Sequence, residues 1–484
     1  MDFVRKHPLL AALAAVASTA ALLSIGNGMN PVWPVMWIAL LPVLVLAAET
    51  GSWWVAGASA ALGMLLGSLT MLYYLHSALH APVYAWLIPY SFASVLFAAG
   101  VLLFRALLHR GAVFSAVVAL PSLWVVGEYL SSFVPTNGTA GSLAYTQLRF
   151  LPLLQLASLT GPWGISFLLL LFSCAVAAAF HLRRTSKERS IRVIVPVIGI
   201  LVAVLIFGAV RLSAPTPSQT LKVGLVATDK VEVAAPGAGM EELARGYAEQ
   251  AESLAQQGAR IVVMPEKTGV LLDRNAKTLD PLLQSVADQT GATLVLGVVH
   301  VVSPQAFNEA RIYQPRLSIA TYNKQHLLPP FESDETPGKS LTLLAEPAGP
   351  VGVEICKDMD FIRPARDYGR AGVALMLDPA WDFNIDRAWH GHIAIMRGVE
   401  NGYAIAHTAK NGFLTVTDSR GRILGEVRSG GASFATLLVD VPIRHEDTIF
   451  GRFGAWFPWV AGMLLLLAVV RFLKIWRLGA SEAV

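Results

Sequence analysis

Residues 261–266, Ile261-Val262-Val263-Met264-Pro265-Glu266, form a short apolar run that stops at a proline and delivers an acid. A run of this length bounded by a breaker reads as a buried strand, and the pattern returns twice. Ile319-Ala320-Thr321-Tyr322-Asn323 leads to Lys324, and Val351-Gly352-Val353-Glu354-Ile355 leads to Cys356. Helices are expected over residues 240–258, 279–289 and 387–401, and further strands over 222–227, 293–301, 373–377, 403–407 and 413–417. Strands alternating with helices predict an α/β layered domain, with its working groups in the loops just beyond strand ends. An acid, a lysine and a thiol at three such ends form a specific combination.

The rest of the chain is of another kind. At 484 residues it is 54% hydrophobic and 14% charged, with a mean hydropathy of +0.54, too apolar for an ordinary soluble protein. Candidate spans lie at 8–26, 33–49, 54–74, 83–104, 112–131, 160–181, 193–212 and 454–473. Each is close to the roughly 20 apolar residues that cross about 30 Å of hydrocarbon. The second is short, so little tilt or a partly re-entrant path is expected. The basic residues Arg5 and Lys6, Arg105 and Arg110, Arg183 to Arg192, and Arg471 to Arg477 all fall on one side of these eight spans. Lys and Arg are retained in the cytoplasm, so both termini are expected there and the domain between spans seven and eight outside. The net charge of +4 is explained by this orientation and not by nucleic-acid binding. A cleaved signal peptide is the alternative for the first span; the lack of a clear cleavage site favours an anchor.

The expected organisation is therefore a seven-span bundle over 1–212, a linker at 213–218 and an extracytoplasmic catalytic domain over 219–443. A transmembrane helix at 454–473 and a cytoplasmic tail at 474–484 follow. The sequence has two cysteines. Cys174 lies in an apolar run and reads as a small buried residue, whereas Cys356, in an outer domain without a partner thiol, reads as a working one.

These residues resemble the nitrilase superfamily and, within it, the apolipoprotein N-acyltransferases. The resemblance rests on Met264-Pro265-Glu266, the segment from Tyr322 to Glu332, Glu354-Ile355-Cys356-Lys357-Asp358, Met396-Arg397-Gly398-Val399-Glu400 and Lys410-Asn411-Gly412. In the membrane part it rests on Leu120 to Leu130 and on Leu153 to Phe167, the second of which soluble nitrilases lack. It implies an α-helical membrane bundle carrying a nitrilase-like αββα sandwich in the cytoplasmic (inner) membrane. It also implies transfer of an acyl chain from a phospholipid to the N-terminal amine of a lipoprotein, by a monomer without cofactor or metal. The chain departs from the family pattern at Lys267-Thr268, at Asp378-Pro379-Ala380-Trp381, at His407 where arginine is common, and at Val134-Pro135-Thr136-Asn137-Gly138 in place of a Pro-Trp motif.

A free cysteine is only a few per cent thiolate at neutral pH, so Cys356 needs a base, and Glu266 can serve. Lys324, helped by a backbone N–H near Lys357, would face the oxyanion; losing one such donor typically costs about 3 kcal/mol. Glu332 matches the second glutamate of the family and would orient Lys324, and Asp358 would hold the turn after the nucleophile. Trp381, Phe383, Trp389 and Tyr403 are weighed as acyl-groove lining against plain core packing. Glu128, in an apolar span, is weighed as functional against an interface position. His390 and His392, one residue apart on a helix, do not share a face, so no metal site is expected. Two further readings use the same residues: a membrane-anchored amidase in which water resolves the thioester, and a silent lipid- or partner-binding scaffold.

Overall fold

The computed structural model describes the chain except Met1, Asp2, Phe3, Arg5, Asn137, Ala348, Asp386, Arg387 and residues 482–484. Arg5 of the first basic cluster, Asn137 of the altered motif, Arg387 at the expected helix start and the end of the tail thus lie outside the described residues. The chain divides into two units, one of Met1–Phe133, Gly141–Leu212 and Ala455–Val484, the other of Val134–Ala140 and Ser213–Gly454.

In the first unit, seven helices are long and apolar enough to cross a membrane among the described residues: Pro8–Gly26, Trp53–Ser77, Val83–His109, Val113–Ser131, Pro162–Leu182, Lys187–Ser213 and Phe457–Arg477. The second expected span is two shorter helices, Trp33–Ala39 and Leu41–Glu49. Pro42 sits in the first turn of the latter, where its missing N–H has no intrahelical partner to lose, so it starts a helix but cannot continue one. Cys174 is buried in Pro162–Leu182. Glu128 accepts hydrogen bonds from Trp124 Nε1, Ser142 Oγ and Leu143 N, each at 2.9 Å, and from Ser166 Oγ at 3.1 Å. Four donors offset the cost of a carboxylate in apolar surroundings. They also tie Val113–Ser131 to the 3-10 turn Leu143–Gln147 and to Pro162–Leu182.

The second unit is built on two sheets. One has seven strands, in the order Ala435–Pro442, Thr220–Ala227, Ile261–Val263, Thr293–Val302, Gln305–Tyr313 and Ala320–Asn323, with Val270–Leu272 also paired to Thr293–Val302. The other has six, in the order Ile423–Arg428, Phe413–Thr417, Ala404–Lys410, Leu375–Trp381, Gly349–Val353 and Leu343–Glu346. Each has a parallel centre and antiparallel flanks.

Side-chain alternation makes the layers. Leu221, Val223, Leu225, Ile261, Val263, Ala310 and Ile312 of the first sheet meet Val351, Val353, Leu375, Leu377, Ala404 and Ala406 of the second in one core. The intervening Val226, Val262, Leu294 and Leu296 face the helices Ala238–Gln256 and Asp273–Thr290. Met376 and Ile405 face the opposite way, toward Ala394 of Ala388–Asn401. The result is the αββα sandwich, and full burial of each Val or Leu stabilises it by roughly 1.5–3 kcal/mol.

Five of these strands have no counterpart in the sequence reading: Val270–Leu272, Gln305–Tyr313, Leu343–Glu346, Ile423–Arg428 and Ala435–Pro442. Asp273–Thr290 also begins six residues before the expected 279, because its first turns are polar and carry no apolar period.

The segment Val134–Ala140 lies in sequence between bundle helices yet packs as part of the second unit. Thr139 donates its N–H and its hydroxyl to the carbonyl of Asp360, at 2.8 and 2.9 Å, and Thr139 Oγ1 accepts from Arg397 Nη2 at 3.2 Å. Gly138 has a left-handed φ of +51°, and a Cβ there would overlap that same carbonyl.

Candidate active site

Glu266 stands three residues past Ile261–Val263, Lys324 one residue past Ala320–Asn323, and Cys356 three residues past Gly349–Val353. The loop after Ile261–Val263 is held close. Thr268 N–H and Oγ1 donate to the Gly297 carbonyl at 2.8 and 2.7 Å. Any Cβ at Gly297 would lie 2.6 Å from Glu266 Cα, so only glycine lets the two backbones pass. The N–H of Glu266 reaches across to the Ala380 carbonyl of the other sheet at 3.3 Å.

Lys324 Nζ donates to Glu266 Oε1 at 2.8 Å and to Glu332 Oε1 at 3.0 Å. All three residues are buried, at 2–3% exposure. Asn308 Nδ2 bridges the same two carboxylates, at 2.5 Å from Glu266 and 2.7 Å from Glu332, while the backbone carbonyl of Asn308 accepts from Lys324 N at 2.9 Å. A second lysine, Lys267, lies 2.9 Å from Glu332 Oε1 and 2.6 Å from Glu335 Oε1. Burial opposes charge on Lys324, but the Glu266 and Glu332 carboxylates outweigh it and hold the ammonium well above the usual lysine range. Burial also works against Glu332, yet Lys324 and Lys267 pull it down to about 2. Lys324 and Glu332 are therefore a fixed cation and anion across the working pH range.

Cys356 is half-buried and opens the 3-10 turn Cys356–Asp360 with φ +46°, a left-handed conformation that costs a non-glycine residue on the order of 1–3 kcal/mol. Its N–H donates to Asp378 Oδ1 at 2.7 Å, and its thiol lies 3.9 Å from the Trp381 carbonyl. Burial and the Glu266 charge push the thiol well above its ordinary range, against the pull of Lys324. The resting side chain is thus a thiol, unlike the preformed thiolate of an imidazolium pair. For such a thiol to act as a nucleophile, ionisation would have to accompany attack, with a base to take the proton.

Asp358 joins two of these loops. Its carboxylate accepts from Tyr322 OH (2.8 Å), from His326 N (2.8 Å) and Gln325 N (3.1 Å) just after Lys324, and from Ile355 N (3.3 Å) just before Cys356.

Residues 14–175 match the description of the apolipoprotein N-acyltransferase N-terminal domain, and residues 235–441 match that of the carbon-nitrogen hydrolases. The apolipoprotein N-acyltransferase of Geobacter metallireducens is 26% identical over 73% of this chain and 74% of its own. That of Bradyrhizobium diazoefficiens is 26% identical over 81% and 80%, and that of Chlorobaculum tepidum 23% identical over 91% and 94%. The chain is similar over most of its length to the apolipoprotein N-acyltransferases. It is an enzyme of the carbon-nitrogen hydrolase type. Among solved structures, an E41L mutant of the amidase from Nesterenkonia sp. AN1, with acetamide covalently added at its active-site cysteine, aligns with 49% of this chain and 96% of its own, at 20% identity and a TM-score of 0.41.

Residues read in the sequence as departures from the resemblance lie around this site. His407 Nδ1 is 2.7 Å from Asp378 Oδ2, and its Nε2 is 3.5 Å from Asp382 Oδ2. Lys410 Nζ donates to the carbonyls of Glu232 and Lys267 and lies 3.7 Å from the centroid of the Trp381 ring. Burial draws Lys410 down to about 7, whereas the indole face and two carbonyls favour its ammonium form. One face of Trp381 is thus occupied. The Phe383 ring lies 5.9 Å from Phe331, which is exposed, and Trp389 sits edge-on to His390 at 5.0 Å. Tyr403 is fully buried beneath Ala388–Asn401.

Asn308 is the site residue that sequence reasoning missed. It shares a face of Gln305–Tyr313 with Ala310 and Ile312, so period-two alternation would have aimed it between the sheets had the strand been recognised.

Proposed function

We propose that the enzyme transfers a fatty acyl chain from a phospholipid, through a thioester on Cys356, to the N-terminal amine of a lipoprotein. The observation that carries this reading is the buried Lys324–Glu266 contact of 2.8 Å beside a thiol on a strained turn, in a chain whose named relatives are apolipoprotein N-acyltransferases. Glu266 takes the thiol proton as the sulfur attacks the ester carbonyl. Lys324 and the Lys357 N–H receive the oxyanion, because the N–H of Cys356 is committed to Asp378. The C–O bond breaks, the proton passes from Glu266 to the departing lyso-lipid oxygen, and the acyl group stays on sulfur. The amine then attacks the thioester, Glu266 takes its proton, and the C–S bond breaks as Glu266 returns that proton to sulfur, giving an amide and the thiol. Glu332 and Asn308 aim Lys324 and Glu266, Asp358 holds the loops in register, and Trp381 with Phe383 and Trp389 lines the acyl path.

Residues 219–443 form the catalytic domain in this reading. The helices of 1–212 and the one after Ala455 anchor it, and the lysines and arginines between spans leave it on the extracytoplasmic side. Purified protein incubated with phospholipid should gain the mass of one acyl chain at Cys356, and a diacylated lipopeptide should remove it as amide. Hydrolysis of small amides without any acyl transfer would overturn the proposal in favour of an amidase.

A further inference from the structure

Two departures from the family pattern, 29 residues apart in sequence, touch. Asp378 and His407 are 0–2% exposed and face each other on the adjacent strands Leu375–Trp381 and Ala404–Lys410, where they are register partners. One carboxylate oxygen of Asp378 receives the His407 ring at 2.7 Å and the other receives the backbone N–H of Cys356 at 2.7 Å. Asp382 approaches the far ring nitrogen at 3.5 Å. A buried carboxylate that keeps its charge needs partners on its oxygens, and here one partner is the backbone of the residue held at φ +46°.

We propose that the Asp378–His407 ion pair is a positioning device for Cys356: His407 fixes the Asp378 carboxylate, and Asp378 holds the Cys356 amide so that the strained turn presents the thiol to Glu266. The inference rests on the reading of Cys356 as the nucleophile. The strain at Cys356 has to be opposed by something outside the turn, and a charge-assisted hydrogen bond to its own amide is the most direct contact available. Two flanking carboxylates keep His407 a cation, raised to about 10 against the effect of burial, so the pair stays ionised near neutral pH. A lone Asp378 would not, since burial already lifts it to about 6 with His407 in place.

The test is the full-length protein in detergent, with two readouts at Cys356: the rate of acyl-thioester formation from phospholipid, and the rate of alkylation by iodoacetamide as a function of pH. Asp378→Ala should slow acylation about 100-fold, the scale of a 1 Å misplacement, with KM for phospholipid within about twofold. His407→Leu should slow it about tenfold, and His407→Arg, which keeps the cation, should restore it to within about threefold of the parent. Asp378→Asn keeps the shape and so covers a failure of Asp378→Ala to fold. It should shift the alkylation profile to lower pH, because the groups acting on the thiol are Glu266, Lys324, Asp382 and Asp378, and one negative charge is removed. A merely structural contact would lower stability and leave His407→Leu and His407→Arg acylating at one rate. Acylation at the parent rate in Asp378→Ala and His407→Leu overturns the proposal. A parent protein that alkylates at Cys356 but never forms a thioester overturns the acyltransfer reading alone, and slower alkylation in His407→Leu that His407→Arg restores would still support the positioning role.

Discussion

The side-chain amide of Asn308 is 2.5 Å from Glu266 and 2.7 Å from Glu332, so one neutral donor keeps two buried carboxylates apart and in place. Asn308→Ala removes a hydrogen bond from each, and bonds to charged groups are worth about 1.5–3 kcal/mol. Acylation of Cys356 should fall about 10- to 100-fold. Asn308→Asp should fall further, because a third carboxylate enters the cluster, and single-turnover thioester formation measures both.

Glu266→Gln should move two rates in opposite directions. Its charge raises the Cys356 thiol, so its removal leaves more thiolate at pH 8 and iodoacetamide alkylation should quicken. Acylation by phospholipid should slow by about 10²–10⁴-fold, the usual contribution of a general base. Parallel slowing of both rates would show that Glu266 acts on Cys356 through structure alone.

Glu354, two residues before Cys356, is fully buried, and neither carboxylate oxygen has a hydrogen-bond partner among the described residues. Burial and the charges of Asp358 and Asp378 hold it well above the usual carboxylate range. The unfolded chain ionises this group near its ordinary pKa of about 4.3, so stability falls as pH rises above that value toward the folded-state pKa. Glu354→Gln removes the penalty. Its Tm should exceed that of the parent at pH 8 and match it near pH 4; an equal gain at both would contradict the assignment.

Thr139→Val removes the hydroxyl bonds to Asp360 and Arg397, and Gly138→Ala drives a methyl group into the Asp360 carbonyl at a left-handed φ. Both changes act on the end of the turn that begins at Cys356. We expect a loss of about 1–2 kcal/mol for the first, read by denaturant unfolding, and slower thioester formation for both.

That Glu266, Lys324 and Cys356 each stand just past a strand was legible because each follows a short apolar run closed by a polar residue or proline. Gln305–Tyr313 was hidden because Asn308, Glu309 and Arg311 interrupt its apolar character. Arg311 is matched by Asp280 at 2.5 Å and by Glu309 at 2.7 Å, and a pairing with a residue 31 positions away leaves no periodic trace. Asp378 and His407 were each visible as departures, but only the parallel register of their strands makes them one pair. Pro42 was visible too, and the break it makes between Trp33–Ala39 and Leu41–Glu49 depends on the preceding turn failing to reach across it.

The place of Val134–Ala140 bears on how this enzyme can be taken apart. A soluble fragment starting at Thr220 would keep every strand of both sheets and all three strand-end residues, yet would leave Arg397 and the Asp360 carbonyl without Thr139. An excised domain would have to bring those seven residues with it, grafted or supplied as a peptide, since the second unit is assembled from two separate stretches of chain.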